Sequence, residues 1–377
     1  MPKTVLHIAE APGGVERYLV TLLTKMKKYP EFEHILVCST SFDKEKFRGL
    51  VKSVAVIPDM HNAISVSHDL KAILQVRRAI KHYKPDIVYC HSSKAGAIGR
   101  VADIGINNKL IYNAHGWSFN MKGASRRRIK TYEIVERLLA PMTDKIVCIS
   151  EYEKKSALEH KICREDKLVV INNGIDFDEF KNLHPKTRAE LGIPEDSFVV
   201  GTIGRLCNQK APDTFVKMAE AIKKTVPNAF FIVIGDDIGT GSFRMQTEFA
   251  IKKAGLQDSF VISGWVDNPL DYVGLLDVAT LLSRWEGFGL VLPEYMMMEK
   301  PVVATKADAI PYVIGDAGLL VDIDDYKQAA EYVITVFNDK ELREQLIKKG
   351  IVRSKQFDVN RTARETRDLL VSLEVKE

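Results

Sequence analysis

The chain has 377 residues, 46% of them apolar and 28% charged, a soluble globular composition with length enough for two cores. No apolar run reaches about 18 residues, so no transmembrane helix is expected, and Met1-Pro2-Lys3-Thr4 leads straight into a strand pattern, so no signal peptide is expected. The net charge of +4 hides an asymmetry: residues 1–170 hold 29 Lys and Arg against 18 Asp and Glu, a surplus of 11 positive charges, and residues 171–377 hold 25 against 32, a surplus of 7 negative ones.

Different partners are therefore expected for the two halves. An anionic membrane surface or a phosphate-bearing acceptor suits the basic half. No nucleic-acid motif accompanies the charge, so no nucleic-acid partner is expected. Cys38, Cys90, Cys148, Cys163 and Cys207 are scattered without a Cys-x-x-Cys pair. They read as reduced thiols of a cytoplasmic protein, mostly buried.

Strand patterns in the first half fall at Val5–Ala9, His34–Ser39, Val54–Ile57, Ile87–His91, Leu110–Asn113, Lys145–Ile149 and Leu168–Ile171. Helical spacing separates them, as in Val15–Met26 and Ser67–His82. The segment Asn173–Asp196, with Gly174, Pro185, Gly192 and Pro194, reads as an interdomain linker. A second series follows at Phe198–Ile203, Phe230–Ile234, Phe260–Ile262, Val278–Leu282, Pro301–Ala304 and Leu319–Val321, and helical patterns at 325–337, 339–356 and 358–373 close the chain. Continuous apolar strands alternating with helices indicate parallel sheets covered on both faces. The expected architecture is α/β: two doubly wound, Rossmann-like domains facing across a cleft, with ligands at the carboxyl ends of the strands. The domains are expected at 1–175 and 176–355.

The most informative stretch is Glu286-Gly-Phe-Gly-Leu-Val-Leu-Pro-Glu294. A strand leads into it and a helix-like run, Tyr295–Met298, follows. N–H groups at a helix start attract phosphate, Gly287 and Gly289 let the backbone approach a ligand, and carboxylates accept hydrogen bonds from hydroxyls. Together these suit a sugar nucleotide. Gly204-Arg205, with Lys210 five residues on, follows the first strand of the second half. Two cations on a Gly-led loop can clamp a diphosphate and stabilise it as it leaves. Backbone groups around Trp265 and Val266 have the placement to read a base edge, with Trp265 as plain core the alternative.

In the first half, the Gly13-Gly14 turn opens a helix and can admit a phosphate, although it is not Gly-x-Gly-x-x-Gly. His115, in Ala114-His115-Gly116-Trp117, ends a strand where a sheet's active edge lies and can donate to a sugar hydroxyl. His91 has the same placement, with a structural role the more ordinary reading. Asp322-Ile-Asp324 has the spacing to hold a divalent cation, but its position before a helical run favours N-capping. No metal and no cofactor are expected. The basic stretch Lys122–Lys130 leads into Tyr132, Ile134, Val135, Leu138 and Leu139. It reads as a surface for anionic lipid or acceptor phosphate, or as a solvated helix.

In their order along nearly the whole chain, Gly13-Gly14, His115-Gly116, Ser150-Glu151, Asn173-Gly174-Ile175-Asp176, Gly204-Arg205 with Gln209-Lys210, and Glu286-x7-Glu294 resemble the family 4 retaining glycosyltransferases of GT-B fold. The resemblance implies that Arg205 and Lys210 bind the donor diphosphate. Glu286 would hold the sugar hydroxyls, with the backbone of Phe288, Gly289, Leu290 and Val291 near sugar and phosphate, and Glu294 the ribose. It also implies that His115 is the active-site histidine, that Gly14 approaches the donor phosphates, and that 356–377 crosses back to the first domain. The run His91-Ser-Ser-Lys-Ala-Gly-x-x-Gly-Arg100 looks like members that build bacterial surface polysaccharide. A nucleoside diphosphate sugar, UDP-linked by preference, would be the donor, and a carbohydrate or lipid-linked hydroxyl the acceptor. The expected setting is cytoplasmic, at the inner face of the membrane. Three departures bear on the sugar: Ala307-Asp308-Ala309 where members have Gly-Gly, Gly235-Asp236-Asp237 where they have Gly-x-Gly, and Tyr295 where Ala is usual. A GT-B-type sugar-nucleotide epimerase and a non-catalytic sugar-nucleotide-binding subunit are the alternative readings.

Overall fold

The computed structural model describes residues 2–10, 13–61, 63, 65–237 and 241–373. The chain divides into two compact units, Met1–Gly174 with Val359–Glu377, and Ile175–Asp358. Among the described residues each unit is built on one parallel sheet.

The first unit holds β1 (Lys3–Ala9), β2 (Phe32–Cys38), β3 (Ser53–Val56), β4 (Ile87–His91), β5 (Lys109–Asn113), β6 (Lys145–Cys148) and β7 (Leu168–Val170), in the order β3-β2-β1-β4-β5-β6-β7. The strands are apolar in both parities because helices cover both faces. Leu6, Ile8, Val88 and Cys90 enter one core, while Val5, Ala9, Leu36 and Tyr89 enter the other. That second core is closed by the helices Gly14–Met26 and Val359–Ser372, through Tyr18, Leu22, Ala363, Leu369 and Leu370. The late helix is fastened by Lys28 Nζ to Asn360 Oδ1 at 2.6 Å and by Arg367 Nε to Glu31 Oε1 at 2.9 Å.

The second unit holds β8 (Phe198–Ile203), β9 (Ala229–Ile234), β10 (Phe260–Ile262), β11 (Val278–Leu281), β12 (Val302–Thr305) and β13 (Leu319–Val321), in the order β10-β9-β8-β11-β12-β13. Strand order reverses between β1 and β4 in the first sheet and between β8 and β11 in the second. Such reversals open crevices at the carboxyl edge. In the second sheet the opening is visible in the hydrogen bonds. β8 and β11 pair at Val278↔Val200 and Ala279↔Gly201. Beyond that, side chains take over: Thr202 Oγ1 donates to the Thr280 carbonyl at 2.9 Å, Thr280 Oγ1 to the Gly201 carbonyl at 3.2 Å, and the Ile203 N–H to the Tyr295 hydroxyl at 2.6 Å.

Each expected strand is present, with ends displaced by at most two residues. Three local expectations need correction. The helix after the Gly-rich turn spans Val291–Met297 rather than starting at Tyr295, so Glu294 lies inside its first turn. Pro293 fits there because first-turn N–H groups have no intrahelical acceptor to lose. Asp322 and Asp324 do not cap the next helix, Tyr326–Asn338. Asp325 does, accepting from the Gln328 N–H at 3.0 Å, while Asp322 pairs with Lys306 and Asp324 with Arg284. Finally, 173–196 is no slack linker. Its Arg188 guanidinium donates to the Glu195 and Ser197 carbonyls, both at 2.7 Å, and the His184 N–H donates to Asp271 Oδ1 at 2.8 Å.

Among the described residues no helix is long and apolar enough to cross a membrane. The five cysteines are free thiols, with Cys38, Cys90 and Cys148 buried.

Candidate active site

In the second unit the chemistry collects where β8 and β11 part. Gly235 ends β9 at φ 140°, and a Cβ there would stand 2.2 Å from the Gly204 carbonyl oxygen. Only glycine permits that approach, and it holds the turn after β8 down. The Lys210 stem then folds over Gly204, where a Cβ would lie 3.2 Å from it. Lys210 Nζ donates a very short hydrogen bond to Glu286 Oε1, which also accepts from Ser283 Oγ at 3.1 Å. Glu286 is 8% exposed. Its Oε2 has no hydrogen-bond partner among the described residues, so a carboxylate oxygen is left over for a ligand hydroxyl.

The loops are laced together from behind. Gln209 Nε2 donates to the Trp285 carbonyl at 3.0 Å, and the Arg284 N–H to the Gln209 carbonyl at 2.8 Å. Asp308 supplies a further fixing point. It adopts φ 47°, a left-handed conformation that Asp tolerates better than most residues, and its Oδ2 accepts the Glu286 N–H at 3.0 Å. The departure from Gly-Gly at this place therefore anchors the backbone of Glu286. Asp237, at the second departure, accepts the Phe243 N–H at 2.8 Å in the first turn of the helix Ser242–Lys253.

The structure thus joins Lys210, Ser283 and Glu286 directly. Gly289 turns the chain at φ 81°, and Phe288 is buried edge-on against Phe357 at 5.3 Å. Leu290 and Val291 are half-buried, and Glu294 is 1% exposed. Arg205 is exposed, with no hydrogen-bond or ion-pair partner among the described residues, so no protein contact ties it to Lys210. Val266 is half-buried on the loop that follows the Gly235–Gly264 bridge. Trp265 is 59% exposed and is not core. Among the described residues no cluster of three His, Cys, Asp or Glu has metal-binding geometry.

In the first unit His115 follows β5 at φ 51°, with its N–H donated to Asn113 Oδ1 at 2.9 Å. Its ring stands edge-on to Tyr18 at 4.5 Å. Burial drives its pKa down to about 3, so the imidazole is neutral at physiological pH. A Cβ on Gly14 would meet nothing within 4 Å, which leaves open space at that helix start. His91 is fully buried and touches His115 rather than forming a site of its own. Sequence reasoning missed Ser283, Asp308 and Glu10. Glu10 follows β1, is buried against the Ser92 hydroxyl in a very short hydrogen bond, and has its carboxyl pKa raised by burial. A carboxylate one residue past an apolar strand was the available signal.

Two Rossmann-like units, each with polar groups at its strand reversal, define a two-unit, doubly wound α/β protein. Comparison with known proteins makes this specific. Residues 184–353 match the model of glycosyl transferases group 1, and residues 12–179 that of glycosyltransferase family 4. The chain is 30% identical over 354 residues to an uncharacterized 41.2 kDa protein in the cps region of Klebsiella pneumoniae, covering 89% of this chain and 92% of that one. It is 25% identical over 354 residues to the Escherichia coli UDP-Gal:alpha-D-GlcNAc-diphosphoundecaprenol alpha-1,3-galactosyltransferase, covering 90% and 89%. Anabaena HepE, solved in complex with UDP and glucose, superposes with a TM-score of 0.83 at 20% identity, over 98% of this chain and 100% of that one. The chain belongs to glycosyltransferase family 4, and its fold is GT-B.

Proposed function

We propose that this glycosyltransferase is a retaining, metal-independent enzyme that moves a sugar from a UDP-sugar to a hydroxyl of a carbohydrate or lipid-linked acceptor in bacterial polysaccharide or glycolipid synthesis. The observation that carries the reading is the Lys210–Glu286–Ser283 cluster at the β8/β11 reversal. Lys210, Arg205 and the N–H groups opening the helix Val291–Met297 neutralise the departing diphosphate, whose negative charge grows as the glycosidic bond breaks. Glu286 accepts sugar hydroxyls, Glu294 the ribose hydroxyls, and the backbone near Val266 the base. His115 and Gly14 of the first unit serve the sugar and the phosphates. This reading assigns no carboxylate among the described residues as a nucleophile. The acceptor oxygen bonds to the anomeric carbon on the face the diphosphate leaves, and its proton passes to the leaving phosphate oxygen. The E. coli relative, named for a UDP-sugar donor and a lipid diphosphate acceptor, supports this assignment. The helix Arg126–Leu139, with a basic start and exposed Ile134 and Leu138 in its later turns, is the proposed contact with anionic lipid.

A panel of nucleoside diphosphate sugars tested by thermal denaturation examines the donor site, since ligand bound to the native state raises Tm by mass action. One UDP-sugar is expected to stabilise the wild type and neither Lys210→Ala nor Glu294→Ala. Equal stabilisation of all three proteins would remove these residues from the donor site.

A further inference from the structure

Three strands of the first sheet each carry a buried histidine in the same parity. His34 of β2, His7 of β1 and His91 of β4 each stand two residues from a member of one core, Leu36, Val5 and Tyr89, so all three project from that face. They meet in a row that continues to His115. His34 Nδ1 lies 3.0 Å from His7 Nε2, His7 Nδ1 lies 3.0 Å from His91 Nε2, and His91 Nδ1 lies 3.1 Å from His115 Nε2. Every contact joins one ring's Nδ1 to the next ring's Nε2. A neutral imidazole has one N–H and one lone pair, so the row as a whole has two self-consistent states, one the reverse of the other.

The inner end selects between them. His34 Nε2 is buried without a hydrogen-bond partner among the described residues. If every ring carried its proton on Nε2, His34 would bury an N–H with no acceptor. If every ring carries it on Nδ1, His34 buries only a bare lone pair, the more tolerable defect. Either state aligns the ring dipoles and strengthens successive hydrogen bonds, so the choice falls to the inner end. The second state leaves His115, the half-buried member, with its Nδ1–H unclaimed: that nitrogen has no hydrogen-bond partner among the described residues.

We infer that His34, His7 and His91 are positioning residues that lock His115 as an Nδ1–H hydrogen-bond donor, presented to a sugar oxygen at the carboxyl edge of the first sheet. This rests on the proposed role of His115 at the sugar. Its lone pair is occupied by the His91 N–H, so His115 is not a general base, and the acceptor's proton must leave by another route. The three inner rings are buried and neutral, because burial and mutual repulsion hold His7 and His91 well below the ordinary histidine pKa and burial brings His34 to about 4. Tyr18 and Tyr89 pack against the row at ring distances of 4.2 to 6.0 Å.

Long-range 1H–15N NMR of the full chain labelled with 15N-histidine distinguishes the two tautomers ring by ring. His7, His34, His91 and His115 are expected in the Nδ1–H form, against imidazole's usual preference in water. An Nε2–H form at His7, His91 or His115 overturns the inference, whether or not the protein transfers sugar. Kinetics provide the second arm. His91→Asn keeps a donor where Nδ1–H stands and is expected to hold His115 in its form with near-normal kcat. His91→Leu removes it and is expected to mix the His115 tautomers and lower kcat about tenfold with donor KM unchanged. A folded His91→Leu protein with wild-type kcat and an unmixed His115 also overturns it. Absence of transfer by the wild type would count against the proposed function, while the tautomer result would still decide the row.

Discussion

At the scale of single residues, Glu286 occupies a half-satisfied state. One carboxylate oxygen takes Lys210 and Ser283, while the other is available to a ligand. Glu286→Gln preserves the shape but removes the charge that holds Lys210 beside the loop. Steady-state kinetics are expected to show kcat/KM down by about 10²-fold or more, the scale of losing one preorganised electrostatic partner, with Tm changed little. An unaltered kcat/KM would show that the carboxylate charge has no part in transfer. The roles of Lys210 and Glu286 were suggested by the sequence because two specific spacings carry them. Ser283 was silent, being one hydroxyl in an apolar run, and Asp308 registered only as a departure from a pattern. The four-histidine row could not be read at all. Neighbouring members are separated by up to 84 residues in the chain, and only the diagonal register of β2, β1 and β4 brings the first three together.

At the scale of elements, the parting of β8 and β11 depends on side chains that replace the missing ladder. Tyr295 is the largest of them. It is fully buried, and burial raises the pKa of its hydroxyl, so the hydroxyl stays protonated while accepting the Ile203 N–H. Tyr295→Phe would leave that N–H buried without an acceptor, at a cost of about 1–3 kcal/mol. Urea unfolding is expected to show this loss. A stability within a few tenths of a kcal/mol of wild type would mean that another acceptor replaces the hydroxyl. The strands themselves were legible because parallel strands covered on both faces are continuous apolar runs. The helix Val291–Met297 was read four residues late, since its first turn contains a proline and follows two glycines, none of which advertises a helix. The capping aspartate was misplaced by one residue because Asp322, Asp324 and Asp325 offer three carboxylates in four positions, and only backbone geometry chooses among them.

At the scale of the whole molecule, the histidine row makes stability depend on pH. His34 and His115 have pKa values depressed from 6.5 to about 4 and about 3, and His7 and His91 lie well below 6.5. The unfolded chain binds protons near pH 6.5 and the native state does not, so stability is complete above 6.5 and falls as pH drops toward 4. Each such histidine contributes a slope of about 1.4 kcal/mol per pH unit in that window. Glu10, raised by burial, and Asp103, raised by burial to about 6, act in the opposite sense but are outnumbered by the four histidines. Denaturant titrations at pH 7.5, 6.5, 5.5 and 4.5 are expected to show a steep decline below 6.5. A flat profile down to pH 5 would contradict neutral burial of the row.

The helix Val359–Ser372 has one more consequence. Ala363, Leu369 and Leu370 complete a core whose other members are mostly drawn from the first 171 residues. On the ribosome, the amino-terminal sheet emerges with that face covered only in part, by Gly14–Met26, and the whole of Ile175–Asp358 must be synthesised before the second covering helix arrives. At roughly 5–20 residues per second that delay lasts on the order of ten seconds or more, long enough for a chaperone to hold the nascent chain. The unit translated first is therefore the unit finished last.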